Sequence, residues 1–324
     1  MIKDFRQVIL DFPHQFKVDF GLMEDLKISP PAGGFRNVIF CGMGGSIIPA
    51  EILFALFPKL PDNFHIHRDF DLPPWAAEED LIICISWSGG TKETISSYET
   101  AKKIGAAALT ITKDGKLAEL SEENGDKTII LPQEEILSRS GAGYMSRDLL
   151  TVLANSGTIE FQLGELASLE EKLKPETLEE RGKELAERIG RWTPLIYSSF
   201  QNRFLASFWK VKFNENSKIH AFWNHFPNAA HNEIAGFGWD NFFAILLKDD
   251  KDGDLQQNKI SAAVKFFEEI GIPFETIELK GKTRLEKIFN DYLLSDWTSY
   301  YLARNRSVEP AEAEMIEKFK KMEK

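Results

Sequence analysis

Cysteine is almost missing from this sequence: Cys41 and Cys84 are the two copies in 324 residues. So few cysteines exclude a disulfide framework or a zinc site built on thiolates. Both stand at the ends of apolar runs and read as small buried core residues. Surplus basic charge is missing too. Lys and Arg number 39 against 50 Asp and Glu, a net charge of −11. Without a basic stripe the chain carries no electrostatic footprint for nucleic acid. A small anionic ligand stays open, because local dipoles and a few basic side chains can outweigh the net charge. No apolar run reaches the roughly 18 residues of a membrane span. The start, Met1-Ile2-Lys3-Asp4-Phe5-Arg6, has mixed charge and no apolar signal-peptide core. A cytoplasmic chain with no membrane partner is expected.

What is present suits two globular cores. Hydrophobic residues make up 43 % and charged residues 27 %. At roughly 100–200 residues per domain the length predicts two domains. The first 34 residues read as helix followed by the loop Pro30-Pro31-Ala32-Gly33-Gly34. Short apolar runs at 35–41, 64–68, 80–86, 106–112 and 127–131 then predict five strands. Helical spacing at 46–57 and 92–104 separates some of them, and Gly105 stops the latter. Strands alternating with helices predict a parallel sheet covered on both faces. After a helical stretch at 138–175 the alternation restarts, with strands at 193–199, 218–223, 241–247 and 273–279. The second half reads as a diverged version of the first. The expected fold is therefore α/β, with doubly wound subdomains at 1–155 and 156–324, each a parallel five-stranded sheet flanked by helices. A helical tail from 284 to 324 breaks at Pro310.

Two loops carry chemistry. Gly42-Met43-Gly44-Gly45-Ser46 follows the first strand and opens a helix. Its glycines let a ligand approach the backbone, and the helix N-terminus suits an anion. A dinucleotide site is the rival. Its third glycine position holds Ile47 here, while Asp69 could serve as the ribose acid. The second loop, Ser86-Trp87-Ser88-Gly89-Gly90-Thr91, is more specific. Three hydroxyls in six residues between a strand and a helix can satisfy phosphate oxygens without a cation. Helix capping alone would use Thr91 and Thr94 but not two serines at the strand end.

The Gly-Gly-Ser loop together with Ser-x-Ser-Gly-x-Thr-x-Glu-Thr resembles the sugar isomerase (SIS) domain. That motif usually has asparagine or aspartate where this chain has Gly90. In the second half, Asn214-Glu215-Asn216-Ser217-Lys218, and Pro227-Asn228-Ala229-Ala230-His231-Asn232-Glu233, narrow the resemblance. So do Asp296-Trp297-Thr298-Ser299-Tyr300-Tyr301-Leu302-Ala303 and the later Val308-Glu309-Pro310. These segments resemble the bifunctional phosphoglucose/phosphomannose isomerases of the phosphoglucose isomerase superfamily, from about residue 35 to the end.

The resemblance implies metal-independent, cofactor-free interconversion of glucose 6-phosphate, and of mannose 6-phosphate, with fructose 6-phosphate in carbohydrate metabolism. It implies that Gly44, Gly45, Ser46, Ser86, Ser88 and Thr91 hold the substrate phosphate. Glu215 is the matching carboxylate for moving a proton between C2 and C1, and His231 the matching ring opener. Arg139, chosen over Arg147, would stabilise the enediolate. Lys320, with Lys321 as the competing match, would assist the ring step. Seven residues before the lysine, bifunctional relatives can carry threonine; this chain has Ala313, or Glu314 for the other match. The resemblance also implies a homodimer with the site at the subunit interface and His231 supplied by the partner. A non-catalytic sugar-phosphate sensor on the same fold is the competing expectation.

Overall fold

A computed structural model describes residues 4–17, 26–238 and 241–322. The chain forms two compact units, Asp11–Lys172 and Leu173–Lys324 joined by Met1–Leu10. Helix α1 (Phe5–Asp11) opens the described chain. Of the helix expected at the start, residues 5–16 are helical and 18–25 lie outside the described residues.

The Asp11–Lys172 unit runs β1 (Val38–Cys41), α2 (Ile48–Leu56), β2 (Phe64–His67), β3 (Leu81–Ser86), α3 (Lys92–Ile104), β4 (Ala107–Thr112), α4 (Gly115–Glu123), β5 (Lys127–Ile130), α5 (Ala142–Asn155) and α6 (Leu163–Lys172). Its five strands are parallel in the order β2-β1-β3-β4-β5. Every residue of β1 and β3 is buried. Continuous apolar runs such as Leu81-Ile82-Ile83-Cys84-Ile85 form strands here because helices cover both faces and leave no side for polar alternation. On one face Ile39, Cys41, Ile82 and Cys84 pack on Tyr98, Ala101 and Leu117 of the helices. Cys41 and Cys84 pair in register across β1 and β3 and are buried free thiols. Their mutual hydrogen bond, then burial, push the Cys84 thiol well above its usual range.

The second unit runs α7 (Glu179–Ile189), β6 (Thr193–Ser199), α8 (Arg203–Glu215), β7 (Phe222–Phe226), β8 (Phe242–Lys248), α9 (Asp254–Ile270), β9 (Phe274–Glu278), α10 (Arg284–Asn305) and α11 (Glu314–Lys320). Its parallel order β7-β6-β8-β9 repeats the first topology. Among the described residues this sheet has four strands rather than the five expected. After β9 the chain enters α10, whose 22 residues are buried almost all round and pack against α7 and α8. This helix is a core element that buries polar anchors such as Asp291, Asp296 and Ser299 along with its apolar residues, and it ends the strand alternation. The strand expected at 218–223 lies instead at Phe222–Phe226. Lys218 has φ 56, and Ile219 N–H donates to Phe213 O at 3.3 Å. Residues 216–219 thus close α8 instead of starting a strand. The tail breaks over a wider stretch than Pro310 alone, from 306 to 313.

Candidate functional site

In the Asp11–Lys172 unit, β1 continues toward β2 and β3 toward β4, on opposite sides. Their C-terminal ends thus flank a topological switch point, the kind of crevice where open α/β sheets bind ligands. Both glycine loops rim it. Ser46, 6 % exposed, accepts a hydrogen bond from the Trp87 N–H at 3.0 Å, tying one loop to the other. A third loop joins them. A Cβ on Gly45 would stand 2.5 Å from the Arg139 nitrogen and 2.8 Å from Ser138 Oγ. Glycine at 45 is what lets the short turn Ser138–Ser140 close on the first loop. Arg139 is thereby brought to the crevice, 2 % exposed. Arg147 is committed elsewhere: its Nε donates to Asp148 at 2.7 Å, and its guanidinium also binds the Gln15 and Lys17 carbonyls.

The serine-rich loop presents hydroxyls beside a helix N-terminus, groups whose chemistry suits an anion. Ser86 is fully buried, its Oγ 3.0 Å from Thr91 Oγ1. One of that pair donates to the other, so one hydroxyl proton remains, and exposed Ser88 adds a second. Thr91 is the extended N-cap of α3, placing the loop at a helix N-terminus. Thr94 in the first turn is 1 % exposed, and its hydroxyl has no partner. Gly89 has φ 64, and a Cβ there would collide with the Asp114 carbonyl. Gly90 needs no such freedom: its φ is negative, and the nearest atom to a Cβ would be Ser88 Oγ at 3.9 Å. Ile47, at the dinucleotide fingerprint's third glycine position, is 2 % exposed, and its side chain fills the space beside Gly42.

Glu215 is the last residue of α8, half-buried, at a cavity of about 750 Å³. The helix end is fixed from below. Lys212, wholly buried, donates to Asp296 Oδ1 at 2.6 Å and lies 3.7 Å from the Tyr292 ring centroid. Asn216 Nδ2 donates to Ser299 Oγ at 2.9 Å, and Ser217 Oγ to Ser299 O at 2.8 Å. Asp296 and Ser299, read from sequence only as parts of a motif, thus hold the helix that carries Glu215. Their partner Lys212 was missed. The available signal was a lysine within the apolar run of α8, where a solvated cation would be out of place.

Ala313 and Glu314, the two positions weighed for epimer choice, line the Glu215 cavity together with Lys218 and His220. His231 does not line it. It ends the turn Asn228–His231 and is exposed. The segment after it is braced by Glu233, which accepts from Tyr197 OH at 2.7 Å and from Asn224 Nδ2 at 2.5 Å. Lys320, at the end of α11, is exposed and pairs with Glu317 at 2.9 Å; neither it nor Lys321 lines the cavity.

The corresponding crevice of the second sheet, between β6 and β8, is filled by the chain itself. Ser199 Oγ donates to Asp252 at 2.7 Å, Arg284 binds Asp249 and Asn202, and Lys287 binds Asp249 at 2.6 Å. Buried Asp249 and Asp252 stand where the first unit has hydroxyls, and Arg284 and Lys287 pair with Asp249, so the chain's own ion pairs occupy this crevice. Among the described residues, no group of three His, Cys, Asp or Glu side chains could hold a metal ion. No helix there is long and apolar enough to cross a membrane.

Residues 178–322 match a family model described as the bacterial phospho-glucose isomerase C-terminal SIS domain. The chain is 31 % identical over 296 residues to a bifunctional phosphoglucose/phosphomannose isomerase of Aquifex aeolicus, covering 88 % of this chain and 90 % of that one. A protein of the same name from Thermoplasma acidophilum is 32 % identical over 298 residues, covering 89 % and 90 %. Among solved structures, tagatose-6-phosphate ketose/aldose isomerase from Escherichia coli superposes with a TM-score of 0.72 at 13 % identity, covering 95 % of each chain. The last likeness shows the fold.

Proposed function

We propose that this chain, which belongs to the bifunctional phosphoglucose/phosphomannose isomerase family, interconverts glucose 6-phosphate and mannose 6-phosphate with fructose 6-phosphate through an enediolate. The observation that carries the reading is Glu215, held by buried anchors at the edge of a cavity, in a chain that also bears a hydroxyl-lined phosphate loop. Gly44, Gly45, Ser46, Ser86, Ser88 and Thr91 bind the phosphate. Glu215 takes the C2 proton of the sugar as base and returns it to C1 as acid. Arg139 stabilises the negative oxygen that forms between those steps. His231 exchanges protons at the ring oxygen during opening, and Lys320 assists at the same step. No step calls for a metal or a redox cofactor.

The protein acts as a cytoplasmic homodimer in which His231 reaches the partner's site. Two observations support the pairing. His231 is exposed and absent from the lining of its own chain's Glu215 cavity. Met315 and Phe319, one turn apart on α11, and Met322 just past its end are 75 %, 66 % and 65 % exposed, an exposed apolar cluster at the end of the chain.

Steady-state assays on fructose 6-phosphate, with separate detection of glucose 6-phosphate and mannose 6-phosphate, test the function. Turnover to at least one aldose phosphate is expected. A protein that binds fructose 6-phosphate by calorimetry but forms neither aldose would be a sensor instead.

A further inference from the structure

We infer that Lys218 is a positioning residue of this site, clamping the C-terminal segment onto the end of α8 and so fixing the wall of the cavity that holds Glu215. The inference rests on reading Glu215 as the base. Lys218 occupies the position just past the helix with φ 56, a left-handed conformation that favours glycine or asparagine. A lysine gains nothing locally from that backbone. Its side chain explains its presence. Nζ donates to Glu215 O at 2.5 Å, to Glu312 O at 2.6 Å and to Pro310 O at 3.5 Å. Three donors thus meet three carbonyls on two segments far apart in sequence.

A simple helix cap would need only the Glu215 carbonyl. The other two acceptors lie in the non-helical stretch between α10 and α11. The cavity is lined from both sides of this clamp, by residues 214–220 and 307–316. Ala313 adjoins the clamped Glu312 carbonyl, so the clamp also places the position weighed for epimer choice. Releasing it leaves Glu215 on its helix, because Asn216 and Ser217 still bind Ser299. What is lost is the fixed distance between the carboxylate and the opposite wall.

The variant Lys218→Gly tests this, since glycine keeps the left-handed backbone without strain and removes the ammonium. Melting temperature, limited proteolysis and fructose 6-phosphate kinetics are read together, with Lys218→Asn as a second variant tolerant of this backbone and Lys218→Arg as the conservative one. Expected is a fall in kcat of roughly tenfold or more with KM changed much less. Faster cleavage within 306–313 and partial recovery of kcat in Lys218→Arg are expected alongside. Wild-type kcat in both Lys218→Gly and Lys218→Asn, with Glu215→Gln inactive, overturns the clamp and leaves the base reading standing. An active Glu215→Gln overturns the base reading whatever Lys218 does. A loss of stability with kcat and KM equally impaired, unrecovered in Lys218→Arg, assigns Lys218 to folding alone and also overturns the inference.

Discussion

Two adjacent glycines in the phosphate loop do different things. Gly89 is required: its φ of 64 and the Asp114 carbonyl behind it forbid a side chain. Gly90 is not, because its φ is negative and the space around it is open. The departure from the family pattern at 90 therefore removes a side chain without changing the turn. Gly89→Ala should lower stability by more than about 1 kcal/mol, whereas Gly90→Asn should stay within about 0.5 kcal/mol; thermal melts of both check this. Ser88→Ala with Thr91→Ala should raise KM for fructose 6-phosphate with a smaller change in kcat, since the phosphate contacts are alike in ground and transition states. At this scale the hydroxyls of Ser86, Ser88 and Thr91 were legible because their residue type states their chemistry. Arg139 was legible only by resemblance. Its place beside Gly45 depends on three loops meeting, which no local pattern records. Lys212 left one signal, its place in the apolar run of α8, whereas Lys218 was illegible because a lysine reads as solvated until its partners, the Pro310 and Glu312 carbonyls, are known.

Among the elements, the strands of the first sheet were legible to within three residues, most plainly β3, where full burial writes a continuous apolar run. β7 begins four residues later than expected because residues 216–219, with Lys218 at φ 56, close α8 instead of extending into a strand. The anchoring of α8 on α10 passes through the buried Lys212–Asp296 pair. Removing one partner strands a buried charge, so Lys212→Ala should cost about 3–5 kcal/mol, measured by urea denaturation. Along the same helix, α10, burial pushes the Asp291 carboxyl up to about 7 from a usual value of 3.8. Between those values the folded protein holds a proton that the unfolded chain has released. Folding stability therefore declines as pH rises from about 4 to about 7 through this group. Asp291→Asn removes the titration and can still accept from Trp209 Nε1, now 3.0 Å from Asp291 Oδ2. Its melting temperature should exceed the wild type's by more at pH 8 than at pH 5.

For the whole molecule, one strand order recurs in two unequal units. The first lines its crevice with hydroxyls and glycine loops; the second has filled the same place with Arg284, Lys287, Asp249 and Asp252. The restarting alternation of strands and helices pointed to the recurrence but not to this filling, since the charges come from the loop after β8 and from α10, well apart in the chain. If the site draws Glu215 and His231 from different subunits, mixing Glu215→Gln with His231→Ala protein should restore activity that neither has alone. A site complete within one chain would gain nothing on mixing. The account's central claim is that Glu215 moves the proton, and the most direct measurement is fructose 6-phosphate turnover by Glu215→Gln alongside its binding of that sugar. The account predicts unchanged binding and a fall in kcat of about 10²–10⁴-fold. Turnover within about threefold of wild type, a change too small for loss of a catalytic base, would contradict it.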